Sequence, residues 1–391
     1  MDLQIRELGP SDDLDELLDL SVRAFGPMPP PRRQRMLARQ VAAIAERRYL
    51  AAFAGTRMAA AAGFHRTSQW WLGRDLPMAG VYGVAVAPED RGRGIGRALM
   101  TALLDHIAVA GYPLSMLYPA TMPIYRSLGW ELAGHTYAAA IEARSLHTIT
   151  APQTSALRRA TPDDAAAVRR IHAEVHAGAR ECGPISWDDA VVRQWLTDDE
   201  LFSYLAADGF VAYRWLGGHG EIHAERVLAG SQETSRAVWA LLASSSSVAS
   251  TVRVRVSPAE PFGIMMRERD LQLTSDDQWM LRVVGAPAAV AGRGFPAGLQ
   301  VAAALRLRDA ACPGNQGDWM LTVGGGKGTL ERCQTAAAAP LVLGARGFAA
   351  LYAGTTLPVL RRSGLATGGD EGTDALFDAA FAAQPFCLDT F

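Results

Sequence analysis

Residues 81–130 read VYGVAVAPEDRGRGIGRALMTALLDHIAVAGYPLSMLYPATMPIYRSLGW. Residues 81–86 form an apolar run rich in β-branched side chains that ends before Pro88, which predicts a buried strand. Apolar residues then recur at intervals of three and four, as in a helix that packs one face on a sheet. They are Ile95, Ala98, Leu99, Ala102, Leu103 and Ile107. With a second strand predicted at residues 112–117, the stretch indicates a strand, a glycine-rich turn, a helix and a strand.

The predicted turn combines glycines with arginines. Its residues are Arg91, Gly92, Arg93, Gly94, Ile95, Gly96 and Arg97. The first amides of a helix lack internal partners and lie at the positive end of its dipole, so they bind phosphate readily. The glycine spacing differs from the G-x-G-x-x-G of Rossmann sites, and the Gly-Lys-Ser/Thr of a P-loop is absent. A phosphate-binding turn and a surface turn with solvated arginines both stay open on this motif alone.

The turn resembles the pyrophosphate loop of the GNAT superfamily of N-acetyltransferases, written R/Q-x-x-G-x-G/A. This resemblance implies that acetyl-CoA lies along the preceding strand, with its pyrophosphate on the loop amides. The implied acetyl-CoA contacts are Val84, Ala85, Val86, Arg91, Gly92, Arg93, Gly94, Ile95, Gly96, Arg97, Ala120 and Thr121. Residues 123–130, PIYRSLGW, resemble the tyrosine turn of the same family, which implies that Tyr125 is a general acid.

Length and composition narrow the class of protein. A chain of 391 residues is too long for one ordinary core and predicts two or three domains. Hydrophobic residues at 49% and charged residues at 20% predict a globular protein with a large interior, and no apolar run is long enough for a membrane span. The net charge of −2 provides no overall field for nucleic acid. Four widely separated cysteines favour a reducing cytoplasm over a disulfide framework or a zinc site.

A repeat divides the chain. Residues 157–164, LRRATPDD, resemble residues 5–12, IRELGPSD, and both predict a strand followed by a capped helix. A second copy of the same fold is therefore predicted. At residues 230–235 this copy reads GSQETS, without the glycine and arginine pattern, so it is expected to fold without holding a cofactor.

Two histidines on a helix of the second copy offer a weaker signal. His172 and His176 are four residues apart, which is the spacing of a metal-binding pair on one helical face. The segment is not an H-E-x-x-H motif, and no third ligand is evident, so a solvated helix face is favoured and no metal is predicted.

The last part of the chain predicts short strands at residues 301–307, 319–323 and 329–333, followed by helices. Residues 324–329, GGGKGT, superficially resemble a phosphate loop, but strands flank them on both sides and a hairpin turn is the better interpretation. The chain ends in FCLDTF, which is apolar to its last residue.

Taken together, these parts resemble the Eis-type (enhanced intracellular survival) acetyltransferases over nearly the whole chain. The motifs that carry the resemblance are VAVAPEDRGRGIGRA, PIYRSLGW, WMLRVVGAPAAVAGRGF and LFDAAFAAQPFCLDTF. The resemblance implies an α/β (α+β) chain with a catalytic GNAT domain at residues 1–148 and a degenerate copy at 149–283. A sterol-carrier-protein-like α/β domain is implied at 284–391.

The same resemblance implies how the parts work together. It implies a homo-hexamer in which the terminal carboxylate of Phe391 enters the active site of the first domain. Aminoglycoside-like compounds with several amines are the implied acceptors, bound near Phe25 and Asp389. Relatives commonly carry an acidic residue before the final phenylalanine, where this chain has Thr390.

If acetyl-CoA is the acetyl donor, acetylation of an amine needs a base for the acceptor and an acid for the leaving thiolate. An alkylammonium group with a pKa of about 10 must lose a proton before its nitrogen attacks a thioester, and the Phe391 carboxylate is the candidate base. The Tyr125 phenol is the candidate acid for the leaving thiolate, in a direct attack without an acyl-enzyme. Two alternatives stay open. One is a non-catalytic protein that binds acetyl-CoA or lipid, and the other is a transferase for polyamines, arylamines or protein lysines.

Overall fold

The computed structural model describes residues 3–151, 156–218, 220–267, 271–333 and 340–391. Its strands form a 13-stranded sheet and a 5-stranded sheet. The large sheet has the order β1-β2-β3-β4-β5-β13-β6-β12-β11-β10-β9-β7, with β8 paired to β3. The small sheet has the order β16-β15-β14-β17-β18. The mixed α/β fold predicted from the sequence is confirmed.

The first acetyltransferase unit supplies one half of the large sheet. Its strands are β1 (Leu3–Glu7), β2 (Tyr49–Ala54), β3 (Arg57–Trp71), β4 (Arg74–Val86), β5 (Leu114–Leu117) and β6 (Glu131–Glu142). Its helices are α1 (Leu14–Phe25), α2 (Pro30–Ala45), α3 (Ile95–Val109) and α4 (Pro123–Ser127). Strand β4 is longer than the predicted residues 81–86 because it forms a hairpin with β3 that extends to Trp71 and Arg74.

Alternating side chains of this sheet face two different helical layers. In β2, Ala51 and Phe53 pack with α1 and α2, whereas Leu50 and Ala52 pack with α3. Because successive side chains of a strand point to opposite faces, one apolar strand serves both layers. The sheet is therefore buried on both sides at the place where α3 begins.

The second unit repeats the first. Its strands are β7 (Arg158–Arg159), β8 (Cys182–Ser186), β9 (Phe202–Leu205), β10 (Gly209–Leu216), β11 (Glu221–Ala229), β12 (Thr251–Arg255) and β13 (Leu271–Val283). Its helices are α5 (Ala165–Gly178), α6 (Asp189–Leu196), α7 (Gln232–Ala243) and α8 (Phe262–Met265). The predicted repeat is confirmed, and it extends to single contacts. Arg6 makes two hydrogen bonds to Asp12, at 2.8 and 2.6 Å, and Arg158 makes the same pair to Asp164.

The two units exchange their last strands. Strand β13 of the second unit pairs with β5 of the first, and β6 of the first unit pairs with β12 of the second. Strands β6 and β13 also pair with each other, so one sheet runs through both units. Neither unit completes its sheet alone, which explains why a copy without a phosphate loop still contributes to the architecture.

The third unit carries the small sheet. Its strands are β14 (Val301–Arg308), β15 (Gly317–Gly324), β16 (Lys327–Arg332), β17 (Leu341–Gly344) and β18 (Ala366–Thr367). Its helices are α9 (Ala286–Gly292), α10 (Ala345–Tyr352), α11 (Leu357–Arg362) and α12 (Glu371–Phe381). The predicted hairpin is confirmed, since Gly325 and Gly326 turn between β15 and β16 with φ of 57° and 77°. Its core is continuous with Trp71, Leu76 and Met78 of the first unit.

The last residues of the chain leave the third unit and run between the other two. The Phe386 amide donates to the Cys182 carbonyl, and the Cys387 amide donates to the His135 carbonyl. A Cβ atom added at Gly183 would lie 2.1 Å from the Phe386 oxygen, so only glycine permits this approach. The tail is therefore built into the fold.

The prediction that His172 and His176 lie on a solvated helix face is wrong. His176 is buried at 1% exposure, and its ring nitrogens contact Glu181 and His172. Burial holds the pKa of His172 well below its ordinary value. Among the described residues no group of three or more histidine, cysteine or acidic side chains is placed to hold a metal ion.

Within the described ranges, no helix is long and apolar enough to cross a membrane.

Candidate active site

The glycine-rich turn opens toward solvent at the start of α3. Gly92 and Gly94 have φ of 76° and 82°, and a Cβ atom added to either would meet nothing within 4 Å. Glycine is the residue that adopts this left-handed conformation without steric strain. The turn leaves the first amides of α3 without helical acceptors and leaves space in front of them. This arrangement fits an anion such as pyrophosphate.

A buried carboxylate holds the turn in place. Asp90 is 1% exposed and accepts hydrogen bonds from Arg57 at 2.6 Å and Arg93 at 3.0 Å. The bond from Arg57, supported by that from Arg93, holds the pKa of Asp90 below its usual range. Arg91 and Arg97 are exposed around the same turn. The predicted loop therefore carries positive charge at its rim.

Strands β4 and β5 separate beside this loop. Their parallel pairing starts at Met78 and Leu114 and ends at Gly80 and Met116, although β4 continues to Val86. The backbone of the last six residues of β4 therefore has no strand partner on the β5 side. Such a gap suits an extended ligand that carries its own amide groups, as the pantetheine arm of coenzyme A does.

A β-bulge lies in the same part of β4. Ala61 pairs with Ala85 and Gly63 pairs with Tyr82, so Ala62 faces both Gly83 and Val84. Gly83 has a φ of 62°, and an added Cβ would lie 2.9 Å from the Tyr49 hydroxyl oxygen. The bulge turns the backbone next to the gap, which is a common way to aim polar groups at a site.

The remaining predicted acetyl-CoA residues lie around this gap. Val84 and Val86 are half-buried on the α3 side of the sheet, whereas Ala85 is buried on the side of α1 and α2. Ala120 and Thr121 are exposed between β5 and α4. The turn, the two strands and this short connection thus surround one cleft, while the role of each residue stays a prediction.

Tyr125 lies on α4 with its side chain turned inward. It is 6% exposed, and its ring centroid is 6.4 Å from that of Trp130 in an edge-to-face arrangement. Burial raises the pKa of Tyr125 to about 12. The phenol is therefore protonated at neutral pH and is able to donate a proton.

The end of the chain reaches the point where β4 and β5 separate. A Cβ atom added at Gly80 would lie 3.0 Å from two carbons of the Phe391 ring. The rings of His65 and Tyr118 are both 5.6 Å from that of Phe391. Since Gly80 is the last residue of β4 that pairs with β5, Phe391 lies at the apex of the gap.

Three side chains hold the residues before Phe391. The Tyr118 hydroxyl donates to the Asp389 carbonyl, and Arg255 donates to the Leu388 carbonyl at 3.2 Å. Arg226 forms an ion pair with the Asp389 carboxylate, which is 6% exposed. Asp389 is thus engaged by the protein itself, and its contact with an acceptor stays a prediction.

A cavity of about 370 Å³ lies beside Phe391, within the size range of small-molecule sites. Its walls come from both acetyltransferase units and include His65, Trp187 and Trp195. Burial, aided by Arg39 and Arg48, lowers the pKa of His65 to about 3, so this imidazole is neutral at pH 7. Phe25 is 53% exposed at the end of α1 and is not one of the described residues that line this cavity.

Sequence reasoning did not identify most of the residues that line the cavity beside Phe391. Arg39, Trp187, Arg226 and Arg255 carry no local motif and lie on α2, on the loop before α6, on β11 and on β12. No pattern in the sequence indicated that these four residues would meet at one cavity.

Comparisons with known proteins agree with this geometry. Acetyltransferase (GNAT) domain families match residues 4–133 and 183–283, and a sterol carrier protein domain family matches residues 286–388. A crystal structure of a GCN5-related N-acetyltransferase from Kribbella flavida is 38% identical, with a TM-score of 0.95. That similarity covers 100% of this chain and 98% of that one.

Two curated relatives are also named as N-acetyltransferases. An uncharacterized N-acetyltransferase from Streptomyces avermitilis is 27% identical over 72% of this chain and 73% of the relative. N-acetyltransferase Eis from Mycobacterium tuberculosis is 26% identical over 56% of this chain and 58% of Eis. With a glycine-rich turn at the start of a helix, a divided sheet and two acetyltransferase domains in one chain, this protein belongs to the Eis-type family of GCN5-related N-acetyltransferases and is an acetyl-transferring enzyme.

Proposed function

We propose that this enzyme transfers acetyl from acetyl-CoA directly to an amine of a small molecule, with Tyr125 as general acid and the Phe391 carboxylate as general base. One observation carries the assignment of the base. Phe391 packs on Gly80, where β4 and β5 separate beside the phosphate-binding turn. The chain end therefore lies next to the cleft in which the thioester would be held.

The proposed reaction balances as follows. The acceptor ammonium loses a proton to the Phe391 carboxylate, and the free amine attacks the thioester carbonyl. A bond from nitrogen to carbon forms while the bond from carbon to sulfur breaks. The acetylated nitrogen releases its second proton to water, and Tyr125 gives its proton to the leaving thiolate. The proton held by the carboxylate then returns the phenol to its neutral form through solvent. The net products are an acetamide, the free thiol and one proton.

The local environment supports these two roles. No ion pair to the Phe391 carboxylate is found among the described residues, so this carboxylate is available to accept a proton from a cationic amine. The phenol of Tyr125 makes no hydrogen bond within the described part of the chain, and its raised pKa of about 12 keeps it protonated. On the β4 side, the unpaired backbone at the bulge supplies amides that can polarise the carbonyl oxygen.

The identity of the acceptor belongs to the same proposal. The resemblance to the Eis-type family favours aminoglycoside-like compounds with several amines, with polyamines, arylamines and protein lysines as alternatives. Homo-hexameric assembly and a cytoplasmic setting rest on the same resemblance and on the cysteine distribution. Contacts of the acceptor with Phe25 and Asp389 are likewise proposed.

A second candidate function is binding of acetyl-CoA or lipid without catalysis. The sterol carrier protein domain at residues 286–388 is the observation in its favour. However, acetyltransferase domains match residues 4–133 and 183–283, and a charged side chain, that of Arg293, is fully buried in the described core of the third domain. Its guanidinium carbon lies within 5.7 Å of the ring centroids of Trp71, Phe295, Tyr352 and Phe381. The transferase is therefore the better supported function.

The test is an enzyme with one alanine appended after Phe391. The addition moves the terminal carboxylate by about 3.5 Å, which removes the base from the gap. We expect kcat in a thiol-release assay to fall by roughly 100-fold or more, with the affinity for acetyl-CoA unchanged by calorimetry.

The matched control is Phe391→Leu, which removes the ring but keeps a carboxylate at the same position. It is expected to retain far more activity than the extended enzyme. Full activity of the extended enzyme would reject the carboxylate as the base. Binding of acetyl-CoA without acetylation of any amine in the wild-type enzyme would favour the second candidate function.

A further inference from the structure

The cavity beside Phe391 carries more positive charge than a site for a polycationic acceptor needs. Three arginines line it, from three different elements: Arg39 on α2, Arg226 on β11 and Arg255 on β12. Its acidic side chains are Glu225 and Asp389. Because the cavity is small and partly enclosed, the charges that remain unpaired inside it decide which acceptors are attracted.

Both acidic side chains are already engaged by arginines. Asp389 is paired with Arg226, which also lies 4.0 Å above the Trp195 ring. Glu225 is paired with Arg214, which is not one of the described residues lining the cavity. Neither carboxylate is left to bind an additional ammonium group of an acceptor.

Two of the lining arginines form no ion pair with an acidic side chain among the described residues. Arg39 is exposed at the cavity, and no ion pair to it is found within the described ranges. Arg255 is half-buried and donates to the Leu388 carbonyl, again with no ion pair in the described part of the chain. The Nη1 atom of Arg226 is also buried without an acceptor among the described residues. The wall therefore offers several unused donors to an anion.

We propose that the acceptor is an amine that also carries an anionic group, a carboxylate or a phosphate, which Arg39 and Arg255 bind. This inference rests on the proposed transfer reaction, but it replaces the polycationic acceptors that the resemblance favours with a different class of substrate. The reacting ammonium faces the Phe391 carboxylate, and the anion faces the two arginines. Arginine binds carboxylate and phosphate with strong, charge-assisted hydrogen bonds, whereas Arg39 and Arg255 repel a second ammonium group.

The aromatic part of the wall adds a limit on size. The rings of His65 and Trp187 both lie near Phe391, with centroids 5.6 and 6.4 Å away. A cavity of about 370 Å³ lies at the low end of the range for small-molecule sites, which spans roughly 300 to 1,000 Å³. A short amino acid or amino phosphate fits this volume better than a large oligosaccharide.

The experiment compares matched pairs of amines in a thiol-release assay with acetyl-CoA. The pairs are 4-aminobutanoate against butylamine, and 2-aminoethyl phosphate against ethylamine; spermidine and an aminoglycoside are the polycationic members. We expect kcat/KM to be roughly 10-fold to 100-fold higher for the anionic member of at least one pair, mainly through KM. The two pairs distinguish a carboxylate from a phosphate as the preferred anion.

Variants assign the preference to residues. Arg39→Gln and Arg255→Gln are each expected to reduce the ratio of kcat/KM for 4-aminobutanoate to that for butylamine by roughly 10-fold, because only 4-aminobutanoate carries an anion for these arginines to bind. Arg33→Gln is the control, because Arg33 is an exposed residue of the same helix as Arg39 and is not one of the described residues lining the cavity. Charge reversal in Arg39→Glu is expected to raise turnover of spermidine.

The outcomes separate this inference from the proposed reaction. Turnover that favours polycations, and that Arg39→Gln leaves unchanged, overturns the inference while the transfer reaction stands. If no amine is acetylated, the transfer reaction fails. Calorimetry of 4-aminobutanoate and 2-aminoethyl phosphate with the enzyme and CoA then tests whether the arginines bind the anionic group. Binding that weakens at least about tenfold in Arg39→Gln supports the inference, and unchanged or absent binding overturns it.

Discussion

The two acetyltransferase units begin alike and differ at the helix where a cofactor would dock. Each starts with an arginine that forms an ion pair with an aspartate six residues later: Arg6 with Asp12, and Arg158 with Asp164. Each then places a helix between parallel strands, α3 between β4 and β5, and α7 between β11 and β12. The shared scaffold is therefore set by the same local rules in both units.

The helix N-termini show the difference. Gly94 precedes α3 in a left-handed conformation and provides no side-chain cap. Ser231 precedes α7, and its hydroxyl accepts a hydrogen bond from the Thr234 amide at 3.2 Å. The second unit thus satisfies its helix start from within the chain. The first unit has no such side-chain cap at α3, which fits the proposed binding of pyrophosphate there.

The short helix that follows differs as well. In the first unit α4 carries Tyr125, whereas α8 of the second unit carries Phe262, whose ring packs 4.7 Å from that of Trp239. The second unit nevertheless supplies Trp187, Trp195 and Arg226 to the cavity beside Phe391. One copy holds the candidate chemistry, and the other builds part of the wall around it.

The largest expected effect comes from removing the hydroxyl that distinguishes α4. Tyr125→Phe should lower kcat by roughly 100- to 10,000-fold because the leaving thiolate loses its proton donor. Binding of acetyl-CoA, measured by calorimetry, should be unchanged. Phe262→Tyr is the matched control in the second unit and should leave kcat unaltered. Unchanged turnover in Tyr125→Phe would remove Tyr125 from the mechanism.

A smaller effect is expected from strain at the phosphate-binding turn. Gly94→Val places a β-branched residue at a φ of 82°, which disfavours the turn by about 1–2 kcal/mol and puts a side chain where phosphate would lie. The affinity for acetyl-CoA should fall by roughly 10-fold to 100-fold in calorimetry.

Gly218→Val in the second unit is the control for that substitution. Gly218 has a φ of 85° and open space around it, so the backbone strain is comparable. Its thermal stability should fall in the same way, whereas its affinity for acetyl-CoA should match that of the wild type. An equal loss of affinity in both variants would mean that strain alone, and no local contact, explains the result.

The smallest effect is expected from the ion pair that is repeated in the two units, Arg6–Asp12 and Arg158–Asp164. Arg6→Gln should lower the free energy of unfolding by about 1 kcal/mol, because the Arg6–Asp12 pair is partly exposed and the guanidinium of Arg6 also lies 4.3 Å from the ring centroid of Phe53. Arg158→Gln should lower it by less, because Arg158 also forms a partly exposed ion pair but contacts no aromatic ring among the described residues. The readout is thermal unfolding at several pH values.

The pH dependence of this effect has a definite sign. The hydrogen bond from Arg6 lowers the pKa of Asp12 to about 2 from the ordinary value of 3.8. The stabilisation is therefore complete above pH of about 4 and is lost as the pH falls through about 2. The difference between wild type and Arg6→Gln should shrink over that interval. A difference that grows on acidification would contradict the role of this pair.

Local signals predicted the repeat and the hairpin, which are confirmed, and a glycine-rich turn and a tyrosine turn, whose roles in binding and catalysis stay predictions. Each depends on residues that are close in sequence, such as Gly92 and Gly94 or the pair Arg6 and Asp12. The prediction of a solvated helix face for His172 and His176 was wrong because burial depends on residues that are distant in sequence. Helical spacing shows that His172 and His176 share a face, but their burial depends on what packs against α5. The domain limits at 148 and 283 stay a prediction, because β6 and β13 pair across the two units.

The sequence by itself determined which copy begins a helix with the glycine and arginine pattern and which copy lacks it, because capping and glycine conformation are local properties. Only the tertiary structure decided which residues surround the acceptor. The exchange of β6 and β13 joins the two units, and the tail from residue 382 onward carries Phe391 back to Gly80. Contacts between residues hundreds of positions apart arise from packing of the whole chain, and no short motif encodes them.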